Sequence, residues 1–518
     1  MESAAPVVES ARLPSTAEPQ HAAVDPGCLP AWGAGDLPEP KAFSFHWRNW
    51  LSLIGPGLVL AGGSIGTGEW VMGPKIAALY HGAFMWAVLC SIVGQVLFNT
   101  EAMRYTLVTG EPIFTGFLRT WPGPKFWLIV YLLLDFGSWW PAQAGLAAQI
   151  LVVWVTRLSP ADPIDPDTVR YVSYGVFLLC AGLALVGGKV YNTLTAVSGS
   201  KFIITLVYLS ICCLFFVSMK TWGEIWSGLF DVTRVPRDAQ GNPAVDWTLF
   251  SALVGYTGVG GLQNVLASNY VRERGWGMGS KVGAIPSAVG GHKIQLSHVG
   301  VMPPDTAESR DRFRRWYRYL IPDQYVVWAL GSLVAMLLPC MLGAEFLNAR
   351  SLNAKEEWKW AAALAQDFGA RHGELFRHLT LLCGLVIMIP GQFVTADATA
   401  RRWTDAVWSG LASVRRIDTG KVKYVYYSFA GLYVAFGIWA YTFFPKMTAT
   451  TMMIIAGSMA NLALAVASFH TMYVNVRFLP KSMRPTLAKR VALFISGIFF
   501  LCVFALVANQ KLRPLLGL

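Results

Sequence analysis

Eleven long apolar runs constrain the fold of this chain more than any other feature. A helix that crosses the hydrocarbon core of a bilayer needs about 20 mostly apolar residues, and such runs recur along the 518 residues. Lipid cannot hydrogen-bond an open backbone, so we expect these runs to be helical. The sequence therefore predicts an all-α membrane protein with about eleven transmembrane helices in a lipid bilayer. The predicted spans are residues 52–77, 83–108, 127–156, 171–188, 201–219, 247–270, 324–343, 378–396, 424–444, 449–471 and 489–509.

The composition agrees with a multi-pass membrane protein and gives an orientation. Hydrophobic residues make up 54% of the chain and charged residues only 14%, roughly half the charged fraction of a soluble domain. With the N-terminus inside, 28 of the 42 Lys and Arg residues lie in or beside cytoplasmic segments. This bias follows the positive-inside rule. We therefore expect a cell-membrane protein with a cytoplasmic N-terminus and an external C-terminus, and we attribute the net charge of +12 to topology rather than to nucleic acid.

The segments outside the spans carry no enzyme motif. Residues 1–45 are rich in Ala, Pro, Ser and Glu and predict a disordered cytoplasmic tail. In the cytoplasmic loop 271–322, the stretch DTAESRDRFRRWYRYL predicts a basic amphipathic helix on the inner membrane surface. The patterns GxxxxGK[ST] and HExxH are absent. We therefore expect neither enzymatic activity nor a cofactor, and no pattern identifies a protein partner.

Two of the apolar spans are interrupted by glycines. The first span contains GGSIGTGEW at 62–70, and the sixth contains GYTGVGGLQN at 255–264. The first and sixth spans are five spans apart, so they cross the membrane in opposite directions. Matched breaks in two inverted halves mark the substrate site of many transporters. The pattern predicts two inverted five-helix repeats, residues 46–220 and 221–475. An eleventh helix and a short C-terminal segment follow at 476–518.

The breaks supply the candidate binding residues. A broken helix exposes carbonyl groups that suit a cation, and Glu69 adds a carboxylate where an acidic residue is costly unless it has a function. Glu69 is either a cation ligand or a structural partner for N–H groups freed in the sixth span. Asp135 is a candidate for proton relay or for pairing with a basic group, and Asn461 is a candidate for a position facing the site. The predicted binding set is Gly66, Thr67, Glu69, Gly258, Val259, Gly260, Gln263 and Asn264.

Three stretches resemble the Nramp (natural resistance-associated macrophage protein) family of divalent metal ion transporters. LIGPGLVLAGG at 53–63 is similar to the start of that family's first span, and GKVYNTLTAVSG at 188–199 resembles its linker between the fourth and fifth spans. GQFV at 391–394 resembles the end of its signature between the eighth and ninth spans. The resemblance covers most of the membrane region. It implies the LeuT-type fold, with inverted repeats and broken first and sixth helices, and proton-linked uptake of a metal such as manganese or iron.

The metal-binding motifs of that family are changed here. When Gly55-Pro56-Gly57 is aligned, the family's Asp-Pro-Gly-Asn motif falls on Gly66-Thr67-Gly68-Glu69. Its Met-Pro-His motif falls near Gly260-Gly261-Leu262, so the thioether and the imidazole are both missing. A site of one carboxylate, carbonyls and amide oxygens favours a hard ion such as magnesium or manganese. Apart from Asp135, the acidic residues usual in the family's third span have no counterpart, which argues against its proton coupling.

The leading hypothesis is thus a divergent Nramp-like secondary transporter that moves a divalent cation by alternating access. Two alternatives remain open. The same fold carries small organic solutes in other families, and it also serves as a binding domain in membrane sensors or scaffolds that do not transport.

Overall fold

The computed structural model describes most of the membrane region. Residues 1–24, 41–55, 160–161, 187–189, 238–239, 242, 284–298, 349–353, 418–420 and 517–518 lie outside the described part of the chain.

Each of the eleven predicted spans corresponds to one helix or to a series of consecutive helices, which we number spans 1 to 11. Six described helices are long and apolar enough to cross a membrane on their own: Met85–Thr109, Val197–Phe216, Ala307–Phe346, Glu374–Gly410, Ala449–Phe478 and Leu487–Lys511. The full set runs as follows: span 1, Pro56–Ser64, Gly68–Met72 and Gly73–Tyr80; span 2, Met85–Thr109; span 3, Pro124–Leu134, Phe136–Trp139 and Ala142–Thr156; span 4, Pro166–Val186; span 5, Val190–Phe216; span 6, Trp247–Tyr256, Gly261–Val265 and Leu266–Glu273; span 7, Pro322–Leu330 and Gly331–Phe346; span 8, Glu374–Gly410; span 9, Val422–Phe443; span 10, Ala449–Phe478; span 11, Leu487–Leu516.

Shorter elements connect the spans. The short helices and turns are Ile113–Leu118, Met219–Gly228, Gly279–Val282, Ala307–Ile321, Ala354–Lys359, Trp360–His372, Ala412–Arg415 and Lys481–Met483. A two-residue parallel ladder pairs Gly33–Ala34 with Val301–Met302.

The packing of the spans has the symmetry of an inverted repeat. The first half of span 1 packs on span 5, and the first half of span 6 packs on span 10. The second half of span 1 packs on span 7, as the second half of span 6 packs on span 2. Spans 3 and 4 pair, as do spans 8 and 9. In each of these three cases, adding five to both span numbers of the first contact gives the second contact, with span 12 read as span 2. This is the relation expected of two five-helix repeats.

Both predicted helix breaks are present. Span 1 leaves regular α-helix after Ser64 and resumes through a π-helical turn at Gly68–Met72. Span 6 stops at Tyr256 and restarts with a 3₁₀ turn at Gly261–Val265. The breaks touch each other, because a Cβ on Gly68 would lie 2.6 Å from the Cβ of Tyr256.

The predicted disordered tail is wrong for residues 25–40, which are ordered on the helix bundle. Arg119 donates hydrogen bonds to the carbonyls of Pro26 (2.9 Å) and Pro30 (2.8 Å). Its guanidinium also lies 3.9 Å from the centre of the Trp32 ring. Composition suggested disorder because the segment has no core of its own. Its order comes instead from polar and cation–π contacts with the folded membrane region.

The predicted amphipathic helix is present at Ala307–Ile321 and is capped by Thr306, whose hydroxyl accepts from the Ser309 amide at 3.2 Å. It packs on protein instead of lying free on the membrane surface. The Trp316 indole donates to the Pro38 carbonyl at 2.7 Å, and Phe313 is buried beneath Arg104.

Candidate functional site

Glu69 lies at the break of span 1 and is almost completely buried, with 1% of its surface exposed. Its Oε2 accepts a hydrogen bond from the Gly66 amide at 2.9 Å, and the backbone of Gly258 also interacts with the carboxylate. Its Oε1 has no hydrogen-bond partner among the described residues. One carboxylate oxygen thus stabilises the break, while the other is available to a ligand.

Lys201 of span 5 supplies the positive charge that acts on Glu69. Its side chain is 3% exposed, and its Nζ has no hydrogen-bond partner in the described part of the chain. The two side chains attract each other electrostatically, although no hydrogen bond joins them. Sequence reasoning missed Lys201, which was counted only among the basic residues near the cytoplasmic side.

The break of span 6 is held by Gln95 of span 2. Its amide Nε2 donates to the Thr257 carbonyl at 2.5 Å, and its Oε1 accepts from the Gly260 amide at 3.2 Å. The same oxygen accepts from the Asn264 amide at 3.1 Å. Gly258, Gly260 and the following glycine all have positive φ angles, which glycine adopts without the steric cost of a Cβ. Gln95 therefore satisfies two backbone groups that the break frees.

A cavity of about 70 Å³ lies beside the break of span 6, among spans 3, 6, 8 and 10. Its polar lining is mostly amide and hydroxyl, and Gln143 keeps its Oε1 without a partner among the described residues. Glu69 is not among the lining residues. Lys201 of span 5 and Cys340 of span 7 interact electrostatically with it. Polar groups that line the cavity are Asp135, Ser138, Gln143, Tyr256, Gln263, Gln392 and Thr395.

Asp135 lines this cavity with its charge already compensated. Its Oδ2 accepts from Arg402 Nη2 at 2.6 Å and from the Trp403 indole at 2.7 Å. Both Asp135 and Arg402 are buried. Of the two sequence interpretations, pairing with a basic group is the one this geometry favours.

Asn461 joins spans 10 and 6. Its Nδ2 donates to the Ser251 carbonyl (2.9 Å), the Ser251 hydroxyl (3.0 Å) and the Gly457 carbonyl (3.1 Å). It is a packing residue beside the break and does not line the cavity described above.

The predicted site residues thus separate into two groups around the paired breaks. Gly66 and Gly258 lie with Glu69. The Thr67 side chain interacts instead with Tyr256, which lines the cavity. Val259, Gly260 and Gln263 line the cavity among spans 3, 6, 8 and 10, which we call the amide cavity. Asn264 is bonded to Gln95. No group of three or more His, Cys, Asp or Glu side chains suited to a metal occurs within the described residues. Glu69 is the one acidic residue in the break sequences 62–70 and 255–264.

A substitution at Gly260 tests the backbone geometry of the span 6 break. A Cβ at this position would lie 2.2 Å from the Gly255 carbonyl oxygen, on a residue with a φ of +73°. We expect Gly260→Ala to lower the free energy of unfolding by about 2–3 kcal/mol, seen as a lower melting temperature of the detergent-solubilised protein. The matched control is Gly63→Ala, because a Cβ there meets nothing within 4 Å. Equal melting of the two variants would contradict the geometry.

The fold is a helical membrane bundle with a LeuT-type arrangement of broken and inverted spans. Solved structures of the Eremococcus coleocola manganese transporter share it. A complex with an aromatic bis-isothiourea substituted compound has 12% sequence identity and a TM-score of 0.61, over 92% of this chain and 90% of that one.

Two variants of that transporter, one with a histidine replaced by alanine and one with a glutamate replaced by glutamine, give the same identity and TM-score over 94% of this chain and 91% of theirs. No family sequence model and no curated protein sequence matches the chain. At 12% identity the likeness establishes the fold, and it confirms the fold predicted from the Nramp resemblance.

Proposed function

We propose that this protein is a secondary transporter that moves a divalent metal cation across the membrane by alternating access. The observation that carries the proposal is the Oε1 of Glu69, a buried carboxyl oxygen without a partner among the described residues at the point where two broken helices meet. A buried carboxylate oxygen without a partner is costly unless something binds it. The shared fold with a manganese transporter supports a metal as its ligand.

The residues around Glu69 favour a hard ion. The backbones of Gly66 and Gly258 adjoin the carboxylate, and the break exposes further backbone oxygens. Oxygen donors of this kind suit magnesium or manganese rather than cadmium. The metal is cargo in this account, and the protein acts as a transporter, not as an enzyme.

Binding to the purified protein tests this proposal. We expect titration calorimetry to detect Mn²⁺ and Mg²⁺, with Cd²⁺ bound no more tightly than Mn²⁺. Glu69→Gln should remove the signal for all three ions. Preference for Cd²⁺ over Mn²⁺ would contradict the oxygen-ligand site.

A second candidate function is transport of a small organic solute, and the amide cavity favours it. The cavity is lined by Gln143, Gln263 and Gln392, and its one carboxylate, Asp135, is paired with Arg402. Such a surface suits a neutral polar molecule. A thermal-shift screen that returns a neutral solute and no divalent ion would favour this function over metal transport.

The orientation is also part of the proposal, with the N-terminus and the 271–322 loop inside the cell. It rests on the bias of basic residues. We expect single cysteines placed at exposed Lys281 or Arg314, in a background without native cysteines, to resist a membrane-impermeant thiol reagent in intact cells. Labelling of these cysteines from outside would contradict the proposed orientation.

A further inference from the structure

We propose that Arg310, Arg314 and Arg318 bind the headgroup of an anionic phospholipid at the inner surface of the membrane. These residues lie on the basic helix Ala307–Ile321, which is separate from the residues assigned to the metal. The lipid site uses the proposed orientation, which places this helix on the cytoplasmic side. It does not depend on which cargo the protein moves.

The five arginines of this helix fall into two groups by their partners. Arg312 pairs with Glu308, and Arg315 pairs with Asp311 at 3.1 Å. These pairs use both acidic residues of the helix. The other three arginines are exposed and have no ion pair among the residues that the structure describes. Three positive charges of the helix are therefore left for a partner outside the protein.

These three arginines share a face with lipid-exposed residues. They follow one another at intervals of four residues, close to the 3.6-residue repeat of an α-helix. Ile321 lies three residues after Arg318 on the same face, and 41% of its surface is exposed. The helix continues into span 7, so that Ala307–Phe346 form one helix of 40 residues. The next exposed apolar side chains in this helix are Tyr325, Val326 and Leu330. Exposed apolar residues of a membrane span face the acyl chains, so the arginine face meets the bilayer at Ile321.

The rise of the helix places the first of these arginines at the depth of the headgroups. Along the helix axis, Arg318 lies about 5 Å from Ile321 and Arg314 lies about 10 Å from it. The polar layer on each side of the hydrocarbon core is about 5–8 Å thick, and a long arginine side chain can reach into this layer. A molecule that contacts Ile321 and these guanidinium groups together needs an apolar part and an anionic part. An anionic phospholipid has both.

The opposite face of the helix is fixed to the protein. The Trp316 indole donates to the Pro38 carbonyl at 2.7 Å, and Lys489 Nζ donates to the Tyr317 hydroxyl at 2.5 Å. The helix therefore presents its unpaired arginines in one orientation, which lowers the entropy cost of binding a headgroup. Guanidinium groups form paired hydrogen bonds with phosphate oxygens. The uncompensated charge favours a headgroup with a net negative charge over a zwitterionic one.

Native mass spectrometry of the full-length protein tests this site. The protein is incubated in neutral detergent with equal amounts of phosphatidylglycerol and phosphatidylcholine that have the same acyl chains. We expect the unmodified protein to prefer phosphatidylglycerol by about 100-fold. The double variant Arg314→Gln, Arg318→Gln should lose about 30-fold of this preference. The double variant Arg314→Lys, Arg318→Lys keeps both charges and should retain most of it.

The matched control is the double variant Lys220→Gln, Lys446→Gln, which removes two exposed lysines next to spans 5 and 9. It should keep the full preference for phosphatidylglycerol. Equal losses in the two glutamine double variants would indicate a diffuse effect of net charge and would overturn the site. Equal binding of the two lipids by the unmodified protein would overturn it as well. So would displacement of phosphatidylglycerol by an equal amount of inorganic phosphate, because the site would then bind a free anion. None of these outcomes depends on metal transport.

Discussion

Glu69→Gln is expected to reduce metal transport by on the order of 100-fold, equivalent to roughly 3 kcal/mol of lost interaction. The substitution keeps the side-chain shape and leaves an oxygen that can accept from the Gly66 amide, as Oε2 does now. It removes the carboxylate charge, with which both Lys201 and a bound metal would interact. Initial rates of Mn²⁺ entry into liposomes, at equal amounts of reconstituted protein, give the measurement.

The same substitution leaves Lys201 buried without a counter-charge, which by itself destabilises the protein. The double variant Glu69→Gln, Lys201→Met separates the two effects. We expect its melting temperature to be closer to that of the unmodified protein than the melting temperature of Glu69→Gln is, while its transport rate stays as low as that of Glu69→Gln. Recovery of transport in the double variant would show that Glu69 only balances Lys201 and does not bind the cargo.

Gln95→Leu is expected to lower the free energy of unfolding by about 4 kcal/mol. Leucine fills similar space, yet it leaves the Thr257 carbonyl and the Gly260 amide without the bonds that Gln95 makes. Each buried group left unsatisfied costs about 1–3 kcal/mol. The melting temperature of the solubilised protein is the measurement.

Asn99→Leu is the matched control for this change. Asn99 lies one turn further along span 2, is equally buried, and makes a single 3.3 Å hydrogen bond to Gln324. We expect a clearly smaller loss of stability. If the two variants lost equal stability, Gln95 would have no special role in holding the span 6 break.

The membrane spans and both breaks could be predicted from local sequence alone. Long apolar runs specify membrane helices because the lipid excludes other structures. The glycines at 62–68 and 255–261 mark the breaks. At Gly258 and Gly260 the backbone has positive φ angles, which glycine adopts without the steric cost of a Cβ. The burial of Glu69 could be predicted from its position in an apolar run.

The partners of these groups could not be predicted in the same way. Gln95 is a neutral residue in an apolar helix and gives no local signal of its role at span 6. Lys201 carries a signal, since an ionisable residue inside an apolar run is expected to be functional, but its attraction to Glu69 depends on the packing of spans 1 and 5. The pairing of Asp135 with Arg402 is likewise a product of tertiary structure.

The prediction of disorder was wrong for residues 25–40 for a different reason. Its composition predicts disorder because it contains few apolar residues. Leu37 is nevertheless fully buried, and Arg312 donates to its carbonyl at 2.9 Å. Composition measures what a segment can bury by itself, whereas this segment is ordered by surfaces that other parts of the chain provide.

The most direct test of the central claim is Mn²⁺ entry into liposomes that contain the purified protein, with and without competing ions. The account predicts saturable Mn²⁺ entry that Mg²⁺ reduces at least as well as Cd²⁺ does, and that Glu69→Gln lowers by on the order of 100-fold. Absence of Mn²⁺ entry from a folded, reconstituted protein, or entry that continues unchanged in Glu69→Gln, would contradict it.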